Sequence, residues 1–185
     1  WMRKSGRYPL CGQGDINTYS IFAELNRSVM GARGRVGCIL PSGIATDDTT
    51  KEFFASLVER HQLISLFHFE NEEFVFPTVH HAFRFCLVTL GRGMSHDHRT
   101  EMVFYARQVG QLAETARLVS FGPDDFIALN PNTKTCPTFR WQRDAEINKA
   151  IYHRLPVLWR EGDEANGNPW GISFMAMLHM SGDSE

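Results

Sequence analysis

The chain has 185 residues, 43% hydrophobic and 22% charged, an ordinary globular composition that excludes wholesale disorder and allows one domain, or one domain plus a fragment. With 19 basic against 21 acidic residues the formal charge is -2, which excludes a generally basic, histone-like nucleic-acid binder. No apolar run reaches the roughly 18 residues of a membrane span and no signal peptide is read, so we expect no membrane partner and a cytoplasmic protein.

The first residue is Trp1 rather than Met, and we expect the chain to be a piece of something longer. Residues 1–14 hold three Gly and one Pro and read as a loop. Asp15-Ile16-Asn17-Thr18 offers N-cap candidates, and Tyr19, Phe22, Leu25 and Val29 recur at helical spacing, which predicts a helix with that apolar face. Arg35–Leu40 is a short, nearly continuous apolar run, expected to be a strand buried on both faces as in a parallel sheet. After Pro41-Ser42-Gly43, Thr46-Asp47-Asp48 caps a second helix whose buried stripe is Phe53, Phe54, Leu57 and Val58. Leu63–Phe69 and Ala82–Leu90 are further strands, expected to be an antiparallel pair at one sheet edge. Met102–Ala106 reads as a short strand and Gln111–Leu118 as a short helix.

From Ser120 the texture changes. Five prolines (Pro123, Pro131, Pro137, Pro156 and Pro169) break up the segment, and one helix is expected over Arg143–Arg154. We therefore divide the chain into 1–120 and 121–185. The first part alternates strands with helices, which argues for an α/β sheet, and the second is an irregular extension.

Cys11, Cys38, Cys86 and Cys136 form no CxxC pair, and Cys38 and Cys86 sit in apolar runs, where they read as buried, reduced residues. His80-His81 and His96-Asp97-His98 lack the i, i+4 spacing of a helical metal site, so no metal is expected. Neither a P-loop nor a dinucleotide fingerprint exists, and Asp47-Asp48 after the first strand would repel a phosphate. No clustered Asp/Glu–Lys set suggests a Mg²⁺-dependent nuclease. Ser42 follows the C-terminal end of a strand, where open α/β sheets place ligands, so it reads as cleft-lining rather than nucleophilic. Phe83 and Phe85 lie two apart on one strand. Core packing is the ordinary role of such residues, and a stacking platform for a base is the alternative. Arg140 and Arg143 are interleaved with aromatics in Phe139-Arg140-Trp141-Gln142-Arg143, a pattern that suits nucleic-acid backbone contact or an ordinary surface helix start.

Several segments, in order, resemble the later motifs of adenine-specific DNA methyltransferases. Gly14-Asp15-Ile16-Asn17-Thr18-Tyr19 with Phe22 is similar to motif V. Gly34 through Gly43 is similar to motif VI, and Ile64–Asn71 to motif VII. Phe76-Pro77 with Ala82-Phe83-Arg84-Phe85 is similar to motif VIII. Asn130-Pro131-Asn132-Thr133 through Arg140, followed by Asp144 and Ile151–Leu158, resembles the stretch leading into target recognition in type IIG restriction–modification methylases.

The resemblance implies the C-terminal half of a Rossmann-like, S-adenosylmethionine-dependent sheet that methylates the exocyclic amino group of a flipped adenine in duplex DNA. Asp15, Asn17, Tyr19 and Phe22 would lie on the cofactor side of a cleft bordered by Pro41 and Ser42. Phe83, or in the other register Phe85, would stack on the adenine. Arg140 and Arg143 would meet the DNA backbone. The Gly-rich cofactor loop and the Asn/Asp-Pro-Pro-aromatic tetrapeptide have no counterpart here. Asn130-Pro131-Asn132 and Asn168-Pro169-Trp170 lack the second Pro and come too late in the order. No catalytic residue is therefore assigned, and the rest of the bacterial parent is an expected partner. A non-catalytic DNA- or subunit-binding module is the other reading.

Overall fold

The computed structural model describes residues 3, 5–173 and 175. Trp1, and positions 174 and 176–185 at the end of the 121–185 segment, lie outside the described residues. Five strands form one sheet: β1 (Arg35–Pro41), β2 (Leu63–Glu70), β3 (Arg84–Gly91), β4 (Thr100–Ala106) and β5 (Val119–Phe121). Their spatial order is β1-β3-β2-β4-β5. β3 runs antiparallel to both β1 and β2, β2 is parallel to β4, and β5 is antiparallel to β4.

This arrangement corrects two expectations. β2 and β3 are an antiparallel pair, but not at the sheet edge, because β3 inserts between β1 and β2 and bonds to both. The sheet is accordingly mixed and mostly antiparallel. β1 is itself an edge strand, exposed at every other residue through Ile39, with Ile39 59% exposed and Cys38 only half-buried. A continuous apolar run does not distinguish a doubly covered strand from an edge strand whose outer face is apolar.

Helix α1 (Thr18–Val29) forms where expected but presents another face. Phe22, Leu25 and Val29 point outward, while Ser20, Ile21, Ala23, Glu24 and Arg27 are buried. Two buried charges set this rotation. The Glu24 carboxylate accepts the backbone N–H groups of Leu10 (3.2 Å) and Cys11 (2.8 Å), which ties down the N-terminal loop. Arg27 donates to Gln62 Oε1 (2.7 Å) and to Ser56 Oγ (2.9 Å), which ties the helix to α3 (Lys51–Glu59). A buried charge must be fully hydrogen-bonded, so these contacts outrank the apolar stripe in fixing the helix face.

α3 buries the expected stripe of Phe53, Phe54, Leu57 and Val58. The preceding turn is helical as well, as the short α2 (Gly43–Thr46). Instead of a helix, Gln111–Leu118 is built of two 3-10 turns that lead into β5. Val119–Phe121 had too few residues to signal a strand. Two helices follow: α4 (Pro123–Leu129), which the sequence reading missed, and α5 (Gln142–Tyr152). Pro123 at the first helical turn and the acidic Asp124-Asp125 behind it were the start signal for α4.

Both α4 and α5 pack into the main core. Phe121, Phe126, Leu129, Cys136 and Ala145 share one buried cluster with Phe53, Phe54, Cys86 and Met102. The change of texture at residue 120 is therefore not a break in packing. A second, smaller cluster on the other sheet face joins Phe69, Val103 and Ala106 with Phe85 and Leu118.

Asp125 clamps the added helices to the sheet. Its buried carboxylate accepts the Gly122 N–H (2.9 Å), Arg99 Nη2 (2.9 Å) and His153 Nε2 (2.9 Å), with Lys149 Nζ at 3.6 Å. Burial alone would raise this carboxyl. The His153 and Gly122 hydrogen bonds and the charges of Lys149 and Arg99 outweigh it and hold the group below its usual range. A depressed carboxyl stabilises the fold above its unfolded pKa of about 3.9, and that stabilisation is lost as pH falls through the lower folded value. We predict that Asp125→Asn lowers stability at pH 7 by about 2 kcal/mol in denaturant titration, since hydrogen bonds to charged groups are lost. The deficit should shrink as pH falls below the usual carboxylate range, where the wild-type carboxylate protonates as well.

Candidate functional site

The strands converge on one sheet end. β1 leaves the sheet at Pro41, β2 at Glu70 and β4 at Ala106, while the antiparallel β3 enters there at Arg84. The register places Pro41, Phe85, Phe69 and Ala106 in one row across four strands. Pro41-Ser42 and Phe83-Arg84 are thus neighbours in space, joined by the bond from Ser42 N–H to the Arg84 carbonyl (3.2 Å).

The turn after β1 is crowded. A Cβ at Gly43 would run into the Asp47 carboxylate and lie 3.0 Å from Tyr19 Oη, so any larger residue would have to displace these two side-chain ends, which meet over the glycine. Thr50 Oγ1 closes the turn by donating to the Gly43 carbonyl (2.6 Å). Burial, and next to it the Asp47 carboxylate, raise the Tyr19 phenol above its ordinary value. Beneath, the Cys86 thiol is pushed up to about 12 by burial and stays a neutral thiol.

Of the expected cofactor-side residues, Asp15 and Asn17 are exposed at the start of α1, and the Asn17 side chain makes no capping hydrogen bond. Tyr19 reaches the turn beside Gly43. Phe22 points away, on the exposed face of α1. Polar side chains are thus presented around the helix start, but the Gly43 cradle is filled by the chain's own Tyr19 and Asp47.

The two phenylalanines separate clearly. Phe85 stacks on Phe69 (centroids 5.1 Å apart, planes 5° apart) and meets Phe76 edge-on at 4.9 Å. Phe83 is 65% exposed at the tip where β3 begins. Its backbone is held on both sides, because its N–H donates to the His80 carbonyl (3.0 Å) and its carbonyl accepts the Asn71 N–H (3.2 Å). Asn71, fully buried, anchors the loop by donating to the carbonyls of Phe76 and Val79 and accepting the Phe76 N–H. The result is an aromatic ring presented to solvent on a fixed backbone.

A feature that no sequence pattern announced lies on β4. Between the pairs Phe67–Val103 and Phe69–Ala106, β4 carries one residue more than β2, a bulge with Tyr105 at a φ of 56°. The extra residue breaks alternation, so Phe104 and Tyr105 both turn toward the main core. The Tyr105 N–H, lost to the ladder, donates to His68 Nδ1 (3.1 Å). Arg140 and Arg84 both lie over the Tyr105 ring, at 5.0 and 5.7 Å. Arg143, on the first turn of α5, is exposed.

Comparison by sequence finds no matching family profile and no matching curated protein. The solved structures that match in shape include the methyltransferase subunit of a type I restriction–modification system from Streptococcus thermophilus. The TM-score is 0.55 at 11% identity. The fold is similar to that of this methyltransferase subunit. The match covers 75% of this chain but 36% of that one, so the chain spans about a third of its length.

His68 gives the site a pH signature. Burial first, and the nearby Arg84 second, push its imidazole down to about 4. Unfolded histidine titrates near 6.5, so between these values the unfolded chain binds a proton that the folded chain refuses. Stability from the neutral ring is therefore complete above pH 6.5 and lost as pH falls toward 4. We predict a loss of about 2 kcal/mol between pH 7 and pH 5, seen as a lower urea midpoint. His68→Gln should be less stable at pH 7 yet nearly flat over that interval. A wild-type profile as flat as the variant's would contradict the assignment.

Proposed function

We propose that this chain is part of a DNA adenine methyltransferase of the restriction–modification kind, acting with S-adenosylmethionine on duplex DNA in the bacterial cytoplasm. The observation that carries the reading is Phe83, an exposed aromatic on a fixed backbone beside the Pro41-Ser42 turn at the sheet end. The order of the motif-like segments and the methyltransferase-like fold support it.

In this reading Phe83 stacks on an adenine turned out of the helix. Extrusion costs a few kcal/mol, and stacking on one aromatic returns about 1–3 kcal/mol. Phe85, locked between Phe69 and Phe76, serves as the packed support of the tip. Asp15 and Asn17 offer polar contacts to the cofactor, Tyr19 and Ser42 border the cleft, and Arg140 and Arg143 meet the DNA backbone. S-adenosylmethionine supplies the electrophilic methyl group when bound. Its Gly-rich loop, and the Asn/Asp-Pro-Pro-aromatic group that holds the target amine, belong to the remainder of the parent. Residues 121–185 lead toward its target-recognition region.

The edge of β1 marks where that remainder joins. Among the described residues its outer edge pairs with no strand, and Ile39 on β1 and Phe22 and Val29 on α1 are all exposed. An unpaired edge beside exposed apolar residues is a surface for strand addition and burial. The same surface favours the second reading, a non-catalytic module docked on another subunit. Catalysis by the parent separates the two.

Two outcomes test the proposal. The 185-residue chain alone should transfer no radiolabelled methyl group from S-adenosylmethionine to duplex DNA, and measurable transfer would refute the division of labour. In the full parent, Phe83→Ala should abolish the fluorescence gain of 2-aminopurine at the target position and weaken binding of the extruded base about tenfold or more. Its melting temperature should hardly move, because the ring is exposed. If stability falls as much as the fluorescence signal, Phe83 is a packing residue.

A further inference from the structure

The bulged Tyr105 and the arginines around it form a built surface beside Phe83. Arg84 is the residue next to Phe83, and it starts β3 opposite Glu70. The largely buried Glu70 carboxylate holds Arg107 Nε at 3.0 Å and Arg84 Nη2 at 3.7 Å. Arg84 and Arg140 both lie against the Tyr105 ring. The Tyr105 hydroxyl is bonded to Thr138 Oγ1 (2.8 Å), in the segment that carries Arg140. Glu70 thus faces two guanidiniums, Arg84 and Arg107, and the third, Arg140, meets Arg84 at the Tyr105 ring; with all three exposed, one carboxylate against three guanidiniums leaves this place at about +2 on a chain whose total is -2.

The strained backbone at Tyr105 is held by the buried His68 ring and would serve no purpose in an ordinary ladder. Bulges of this kind re-aim a side chain at a strand end. Here the re-aimed ring pre-orients two guanidiniums, whose planar forks suit phosphate oxygens. We propose that Arg84, Arg107 and Arg140, ordered by Tyr105 and Glu70, bind the phosphodiester backbone of DNA on the strand flanking the extruded base. This deepens the reading above and rests on it. Arg84 and Arg107 become backbone-contacting residues, and Glu70 and Tyr105 position them. Contacts of this type fix the register of the duplex without reading its sequence.

The test is the salt dependence of binding between the full 185-residue chain and a fluorescein-labelled duplex. Each phosphate neutralised adds about 0.9 to the slope of log K against log salt. The double variant Arg84→Gln, Arg140→Gln should lower the slope by about 2, equally on a scrambled duplex, with an unchanged melting temperature. The charge-preserving Arg84→Lys, Arg140→Lys should keep the wild-type slope. If the Gln variant keeps the wild-type slope, or the wild-type chain does not bind the duplex, the proposal is overturned. That failure differs from failure of the methylation reading, which shows as no 2-aminopurine response in a parent that still binds DNA with the full slope.

Discussion

The insertion of β3 between β1 and β2 organises this molecule. Because β3 runs against both neighbours, its start lies where they end. One strand thereby carries Phe83 and Arg84 to the Pro41-Ser42 turn, and the same strand sends Cys86, Val88 and Leu90 into the main core. Central strands are the most strongly held part of a sheet, bonded on both sides and covered on both faces. The exposed tip is rigid because the strand behind it is.

A second constraint is the disposal of buried charge. Glu24, Arg27, Glu70 and Asp125 are all removed from water, and each is met by several donors or acceptors. Each tether joins segments distant in sequence: the N-terminal loop to α1, α1 to α3, β2 to the residue after β4, and α4 to α5. A buried charge left unpartnered is costly, so these tethers admit few alternative packings. Glu70 and Asp125 also lie on opposite sides of the texture change near residue 120. The core runs through that change, and so does the bond from Tyr105 to Thr138. Any motion of residues 121–153 against the sheet has to break these contacts.

The two apolar surfaces have different meanings. Phe83 is a single ring on a pinned loop. Ile39 lies on β1, which pairs on one side only among the described residues, and Phe22 and Val29 lie on the outer face of α1; solvated edges bearing apolar side chains are usually blunted or covered. The first suits a planar ligand and the second a neighbouring polypeptide. That contrast is the basis of the proposed division between base contact and docking on a larger protein.

Much of this was legible in the sequence, and for identifiable reasons. Apolar runs located β1, β2 and β3, and the Phe53–Val58 stripe located α3, because these signals depend only on local periodicity. Phe83 could be marked as one of two candidates, since residues two apart share a face whatever the sheet order. The tertiary structure decided the rest. Local pattern cannot say that β3 lies inside the sheet, because strand order depends on which distant edges meet. It gave the wrong face for α1, because Glu24 and Arg27 find their partners in loops and helices far along the chain. Nor could it choose between Phe83 and Phe85, which differ only in whether Phe69 and Phe76 reach them. The bulge that turns Tyr105 under Arg84 and Arg140 has no signature at all, since it exists only where β2 and β4 fall out of step.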